Sequence, residues 1–287
     1  VSVLYLKIDQ KDVLKSIQKL SIIACVLILS LAFAKIAEYV IIHNPTHLIE
    51  AIRFPILVPF AAILLTILIN SRVALFVSFV LSILIAVVLA VDHNSFLIIN
   101  LIGSLSIIIT SLGLKKRKEV FLCCSKTFVA IIPVIYSFDL ITKNYWDATL
   151  FFDIVHSFIF MIIIAIFVVG ILPALESLFN VMTDITLMEY MDPSNELLRR
   201  LSLEVPGTYQ HSLVLGNIAE SAASAIGANG LFCRVATLYH DIGKLNNPHY
   251  FTENQQSGVN IHQLLTPIES AQVIISHVID GEILARK

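Results

Sequence analysis

Six stretches of this chain, roughly residues 20–42, 54–71, 73–91, 96–113, 120–142 and 149–172, are long and mostly apolar. A helix needs about 20 such residues to cross the hydrocarbon of a bilayer, where every backbone amide must find its partner inside the protein. The pattern predicts a polytopic transmembrane bundle of about six spans over residues 20–172, behind an N-terminal segment at 1–19. Each break has a chemical cause: His43-Asn44-Pro45, Asn70-Ser71-Arg72, Asp92-His93-Asn94, Lys115 to Glu119, and Lys143-Asn144. Composition agrees, since 57% of residues are hydrophobic and 14% charged, against about 25% charged in an ordinary soluble domain. A purely soluble or a disordered chain is excluded.

Charge divides the chain in two. Residues 1–172 carry 13 Lys and Arg against 9 Asp and Glu (+4), and residues 173–287 carry 6 against 12 (−6). No basic patch accompanies the water-compatible half, which argues against a DNA or RNA polymer as partner. Lysine and arginine collect in short cytoplasmic loops, so the run Lys115 to Lys118 assigns its loop to the cytoplasm, and with it everything after residue 172. Membrane lipid is then the first partner. Lys35, Glu38, Lys126, Asp139, Asp153 and His156 fall within the spans, where charge is costly. Glu38, Asp139 and Asp153 lie near span ends and can reach toward headgroups, and Lys35 can pair with Glu38 on the same helix face. No internal repeat or Gly/Pro-broken helix pair points to a transporter. Cys25, Cys123, Cys124 and Cys233 form no C-x-x-C pair and read as reduced thiols.

The second half shows no alternating strand pattern, so the whole chain is expected to be all-α. Residues 173–205 read as a linker followed by a helix with Asp192-Pro193 as N-cap and first residue. Pro206-Gly207 reads as a turn, and residues 208–226 as a helix with Leu213, Leu215, Ile218, Ala222 and Ile226 on its apolar face and Gly227 as its stop. A second helix covers 230–241, and Thr266, Pro267 and Glu269 form a capping box that opens a last one of about twenty residues. His211, His240 with Asp241, and His277 therefore sit on three separate helices, and they converge only if those helices pack around one site. Imidazole plus carboxylate suits iron, manganese or zinc. A bridging carboxylate can hold two metals for an in-line phosphoryl displacement. His249 and His262 read as ordinary packing or surface histidines.

The string His240-Asp241-Ile242-Gly243-Lys244, with Pro206-Gly207-Thr208-Tyr209-Gln210-His211 before it and Glu253-Asn254-Gln255 and Ile275-Ser276-His277 after it, resembles the HD superfamily of metal-dependent phosphohydrolases. More narrowly it resembles the bacterial seven-transmembrane HD proteins, a family of cyclic-di-AMP phosphodiesterases. The resemblance covers nearly all of 173–287 and implies an all-helical cytoplasmic HD domain at 206–287. It implies hydrolysis of cyclic-di-AMP to pApA by a divalent metal pair, iron or manganese, at the inner face of a bacterial cytoplasmic membrane. Carried over by position, His211, His240 and His277 would be metal ligands, Asp241 the bridging ligand, and Lys244 a phosphate contact in catalysis. Tyr209 would either stack on a base or pack. The family supplies a later His and a final Asp from helices beyond residue 287, and an extracellular domain ahead of the spans. The chain is therefore expected to be a truncated, inactive fragment. Two other readings stand beside this one: an HD phosphohydrolase of another nucleotide, and a membrane sensor without turnover.

Overall fold

The computed structural model describes residues 9–43, 54–88, 93–141, 148–255 and 260–286, and among them every regular element is helical. The chain divides after Thr183 into two compact units.

The first unit begins with a short helix, α1 (Lys11–Lys15), and continues through α2 (Ile17–His43), α3 (Val58–Leu68), α4 (Ser71–Val88), α5 (His93–Thr110), α6 (Lys118–Ile141) and α7 (Ala148–Phe179). Among the described residues, each of the six apolar windows contains a helix. By length and composition α2, α4, α6 and α7 can each cross a membrane, whereas α3 and the apolar part of α5 are shorter. The 54–71 window shrinks to eleven residues because Pro55 cannot donate to a helix ladder and Pro59 favours a helix start. The amides this leaves over are met from inside: Asn100, fully buried, accepts from Leu57 N and Val58 N at 2.9 and 3.0 Å. Its amide nitrogen donates to Pro55 O and Phe96 O, both at 3.0 Å. With its start satisfied, α3 runs through the centre, packed on α2, α4, α5 and α7.

The core of this unit is apolar, yet small polar residues are drawn into it and large apolar ones stand on its surface. Ser78, Ser82, Asn100 and Ser104 are buried, while Ile28, Phe79, Ile109 and Val129 are exposed, as expected where the surrounding solvent is hydrocarbon. The serine hydroxyls donate one turn back, to Ala74 O, Ser78 O and Asn100 O. Lys35 pairs with Glu38 at 2.6 Å, as its spacing predicts. Asp139 and Asp153 do not reach outward: they are 1% and 4% exposed, because an ionisable group held at that depth costs least facing the bundle interior. The last span runs through Pro173, past the expected end at Leu172, and Asn180 closes it in the left-handed region at φ 48°. Gln18 Nε2 donates to the carbonyls of Phe179 and Asn180, so the start of α2 and the end of α7 lie on one side of the bundle.

The second unit comprises α8 (Asp184–Tyr190), α9 (Glu196–Glu204), α10 (Pro206–Ala225), α11 (Gly230–Tyr239), a short 3-10 turn at Ile242–Asn246, and α12 (Pro267–Arg286). Leu198, Leu201, Val205, Leu238, Ile242 and Leu245 form its core. Three local expectations are corrected. Asp192 caps no helix; its carboxylate accepts from Ser194 N, and Asn195 caps α9 by accepting from Leu197 N. Pro206-Gly207 is the first turn of α10 rather than a loop, since Pro suits the first helical position. The buried face of α10 is Thr208, Ser212, Gly216 and Ala223, whereas Ile218 and Ile226 are 60% and 84% exposed. Small residues there let α11 approach closely, with Gly216 against the Arg234 backbone. The capping box of α12 is present: Thr266 N donates to Glu269 Oε2 at 2.9 Å and Glu269 N to Thr266 Oγ1 at 3.3 Å.

On α12, Ile275, Val278 and Ile279 are between 62% and 65% exposed, and Ile274 is 44% exposed. Contiguous apolar surface of this kind drives association in water. The isolated piece 173–287 is expected to aggregate, as size-exclusion chromatography with light scattering would show. A monomer with a sharp thermal transition would contradict it.

Candidate metal centre

The C-terminus of α11 places His240 and Asp241 side by side, and α10 brings His211 to them. The ligand atoms of His211, His240 and Asp241 lie within 4.8 Å of one another. The two imidazoles are exposed and Asp241 is buried. His277, midway along α12, meets the other side of the carboxylate: its Nε2 is 3.5 Å from Asp241 Oδ1, while His240 Nε2 is 3.2 Å from Asp241 Oδ2.

Helix backbone sets the imidazole tautomers. His240 Nδ1 faces Thr237 O at 2.7 Å and His277 Nδ1 faces Ile274 O. A carbonyl can only accept, so each Nδ1 carries the hydrogen and each Nε2 of a neutral ring presents a lone pair. Two such lone pairs then face two carboxylate oxygens. That arrangement is repulsive until a cation stands between them, and nitrogen with oxygen is a donor set that suits a divalent transition metal. The residues therefore fit a divalent metal.

Lys244, from the turn after Asp241, is not a solvated lysine. Its ammonium lies 2.9 Å from Asp241 Oδ2 and 2.6 Å from Glu253 Oε1, with its side chain 13% exposed, and it stands 4.8 Å over the Phe251 ring. Burial alone would pull its pKa down, but the hydrogen bonds to Asp241 and Glu253 outweigh this and hold it above the ordinary lysine value. Burial pushes Glu253 up, yet the Lys244 bond leads the opposing effects that leave it below the usual carboxylate range. Two carboxylates, Asp241 and Glu253, thus face the single Lys244 ammonium, a balance that leaves room for a further cation.

Sequence reasoning missed how Lys244 is held. Thr208 Oγ1 donates to Glu253 Oε1 at 3.1 Å, and Asn254 Oδ1 accepts from Thr208 N at 3.2 Å. The two strings flanking the His-Asp pair are thus one structure: the first turn of α10 clasps Glu253-Asn254. Gly207 permits it, since a Cβ there would stand 2.0 Å from Glu253 O. The available signal was the co-occurrence of the two strings; nothing in their spacing joins positions 45 residues apart. Tyr209 packs against the hydrophobic core. His262 is fully engaged, with Nε2 on Tyr250 O and Nδ1 on Ser270 Oγ, both at 2.6 Å, and His249 is exposed.

Residues 1–183 match the family described as 7TM receptor with intracellular HD hydrolase, and residues 208–287 match the HD domain. The chain is 32% identical over 285 residues to the cyclic-di-AMP phosphodiesterase PgpH of Listeria monocytogenes, covering 97% of this chain and 38% of that protein. It is 42% identical over 122 residues to the Bacillus subtilis protein of the same name, covering 42% of this chain and 17% of that one. The chain thus spans well under half the length of these curated relatives. Among solved structures, the L. monocytogenes PgpH HD domain in complex with cyclic-di-AMP is 49% identical, over 33% of this chain and 45% of that one, with a TM-score of 0.32.

Proposed function

The chain belongs to the family of 7TM receptors with an intracellular HD hydrolase, and we propose from that membership that its protein hydrolyses cyclic-di-AMP to pApA at the cytoplasmic face of a bacterial membrane. The observation that carries the reading is the Asp241 carboxylate flanked by the Nε2 atoms of His240 and His277, with His211 alongside. The naming of the Listeria and Bacillus relatives supports the substrate.

In this reading His211, His240, Asp241 and His277 hold the metal, with Asp241 able to bridge a pair. Iron or manganese suits the mixed imidazole and carboxylate set. Bound there, the metal would supply a hydroxide nucleophile and neutralise phosphoryl charge. The carbonyls of Thr237 and Ile274 keep each Nε2 turned inward. Lys244 offers a fixed positive charge to a non-bridging phosphate oxygen, which matters most where charge builds up in the transition state. Glu253 and Thr208 hold that ammonium, and Phe251 walls one side of it.

Orientation rests on charge and connectivity. Gln18 ties the start of α2 to the end of α7, and α6 packs on the helix that follows it with Phe128 against Phe158, so the Lys118 end of α6 points toward the later part of α7. All three then share the side that the Lys115 to Lys118 cluster marks as cytoplasmic.

The test is a substrate panel on the full-length protein with Mn²⁺. Cyclic-di-AMP should be preferred in kcat/KM by at least about tenfold over cyclic-di-GMP and mononucleotides, a discrimination a polar pocket readily supplies. Equal rates across the panel, or none on cyclic-di-AMP, would overturn it. Glu253→Gln should lower kcat about tenfold, the worth of one charge-assisted hydrogen bond. Mn²⁺ retention by equilibrium dialysis should stay unchanged, because Glu253 holds the lysine and not the metal.

A further inference from the structure

Helices α6 and α7 leave a shallow, open, apolar groove between them. Phe121, Ser125 and Phe128 line it from α6, and Phe158, Ile162 and Ala165 from α7. Phe121 and Phe158 are 44% and 45% exposed, so the groove opens toward what surrounds the bundle. Its one lining hydroxyl is satisfied internally, Ser125 Oγ donating to Phe121 O at 2.9 Å, which leaves an apolar surface. The rings of Phe128 and Phe158, 5.2 Å apart, close its far end.

The near end is charged. Lys118 stands one turn before Phe121 and two turns before Ser125 on the same side of α6, and Lys115 and Lys116 precede it in the loop, all three exposed. Against these and Arg117 stands Glu119, whose Oε2 accepts from the backbone amides of Lys115 and Lys116 at 2.9 and 3.3 Å. Four positive charges and one negative leave +3 at the mouth. From Lys118 to Phe128 is ten residues, about 15 Å of helix, which equals half of the roughly 30 Å hydrocarbon core. The lined part, Phe121 to Phe128, is about 10 Å of helix, so the groove lies within one leaflet, apolar along its length and cationic where a headgroup would lie.

We infer that this groove is a binding site for an anionic phospholipid of the leaflet at the Lys115–Lys118 side, with one acyl chain between α6 and α7 and the phosphate on Lys118 and its neighbours. Basic pockets between spanning helices recognise anionic headgroups in this way. The site is independent of the phosphodiesterase reading.

Native mass spectrometry of the full protein, released from nanodiscs holding equal phosphatidylglycerol and phosphatidylcholine of one chain length, tests this without an activity assay. Phosphatidylglycerol should be retained preferentially. Lys115→Gln, Lys116→Gln and Lys118→Gln should each lower that preference, by about fivefold per ammonium. Ala165→Trp, which fills the groove and leaves the charges, should reduce retention of both lipids. Equal retention of the two lipids by the native protein, or a preference unchanged in the triple glutamine variant, would overturn the assignment.

Discussion

In the full-length protein, replacing His240 and Asp241 together by alanine is expected to remove Mn²⁺ retention and to lower the proposed cyclic-di-AMP hydrolysis by more than about 1,000-fold, the scale on which groups acting as one unit fail together. The pair supplies one imidazole Nε2 and both oxygens of the only carboxylate among the three clustered ligand residues. What remains, His211 and His277, has no acidic partner between them. The fold should survive, because His240 is exposed and Lys244 keeps Glu253 at 2.6 Å once Asp241 is gone. Far-UV circular dichroism and the thermal midpoint should therefore change little while turnover vanishes. Unchanged turnover in a folded double variant would sink the assignment of these residues.

Gly243→Ala should do comparable damage by a different route. A Cβ on Gly243 would stand 1.8 Å from His277 O and 2.5 Å from Gly281 N. Both are backbone atoms of α12, so no side chain can swing aside. Restoring an ordinary 3.4 Å contact from 1.8 Å requires α12 to withdraw by 1.6 Å, and His277 would move with it, away from Asp241. Overpacking of this kind costs about 3 kcal/mol. In a unit of this size that lowers the melting midpoint by about 10 °C or more. Gly281→Ala is the control. Its Cβ would meet Gly243 N at 3.3 Å, a contact that relaxes within a few tenths of an ångström, and it should cost less than about 1 kcal/mol. Differential scanning calorimetry with Mn²⁺ titration separates the two. Equal midpoints and equal metal affinity for both variants would contradict the close approach at Gly243.

These two glycines show where sequence reasoning ends. Hydrophobic length located all six apolar helices, because a spanning segment has to satisfy its own backbone wherever it sits. It failed at Val58–Leu68, where two prolines cut the helix short and a buried Asn100 from a distant helix made the shortening tolerable. It also failed on α10, where large apolar side chains at Ile218 and Ile226 suggested the inner face and small ones at Ser212 and Gly216 occupy it. Periodicity reports which faces are apolar. It does not report which face a neighbour needs to approach closely.

The candidate site was legible as a set of residues and not as a geometry. His211, His240 with Asp241, and His277 stood out as convergent residues on three helices, and the structure brings His211, His240 and Asp241 within reach of one ion and sets His277 against Asp241. The support of Lys244 was not legible, because Thr208 and Glu253 are joined by tertiary packing through Gly207. Nor was the inward burial of Asp139 and Asp153, since distance from a span end says nothing about which side of a helix a carboxylate occupies.

The central claim is that His211, His240, Asp241 and His277 hold a divalent metal. Pulsed electron paramagnetic resonance on Mn²⁺ bound to the full-length protein tests it directly, because nitrogen coordinated to Mn²⁺ modulates the electron spin echo. The native protein should show imidazole nitrogen modulation that weakens in His211→Ala and disappears in His240→Ala with Asp241→Ala. A native spectrum of Mn²⁺ ligated by oxygen alone, or imidazole modulation that persists in all these variants, would contradict the claim.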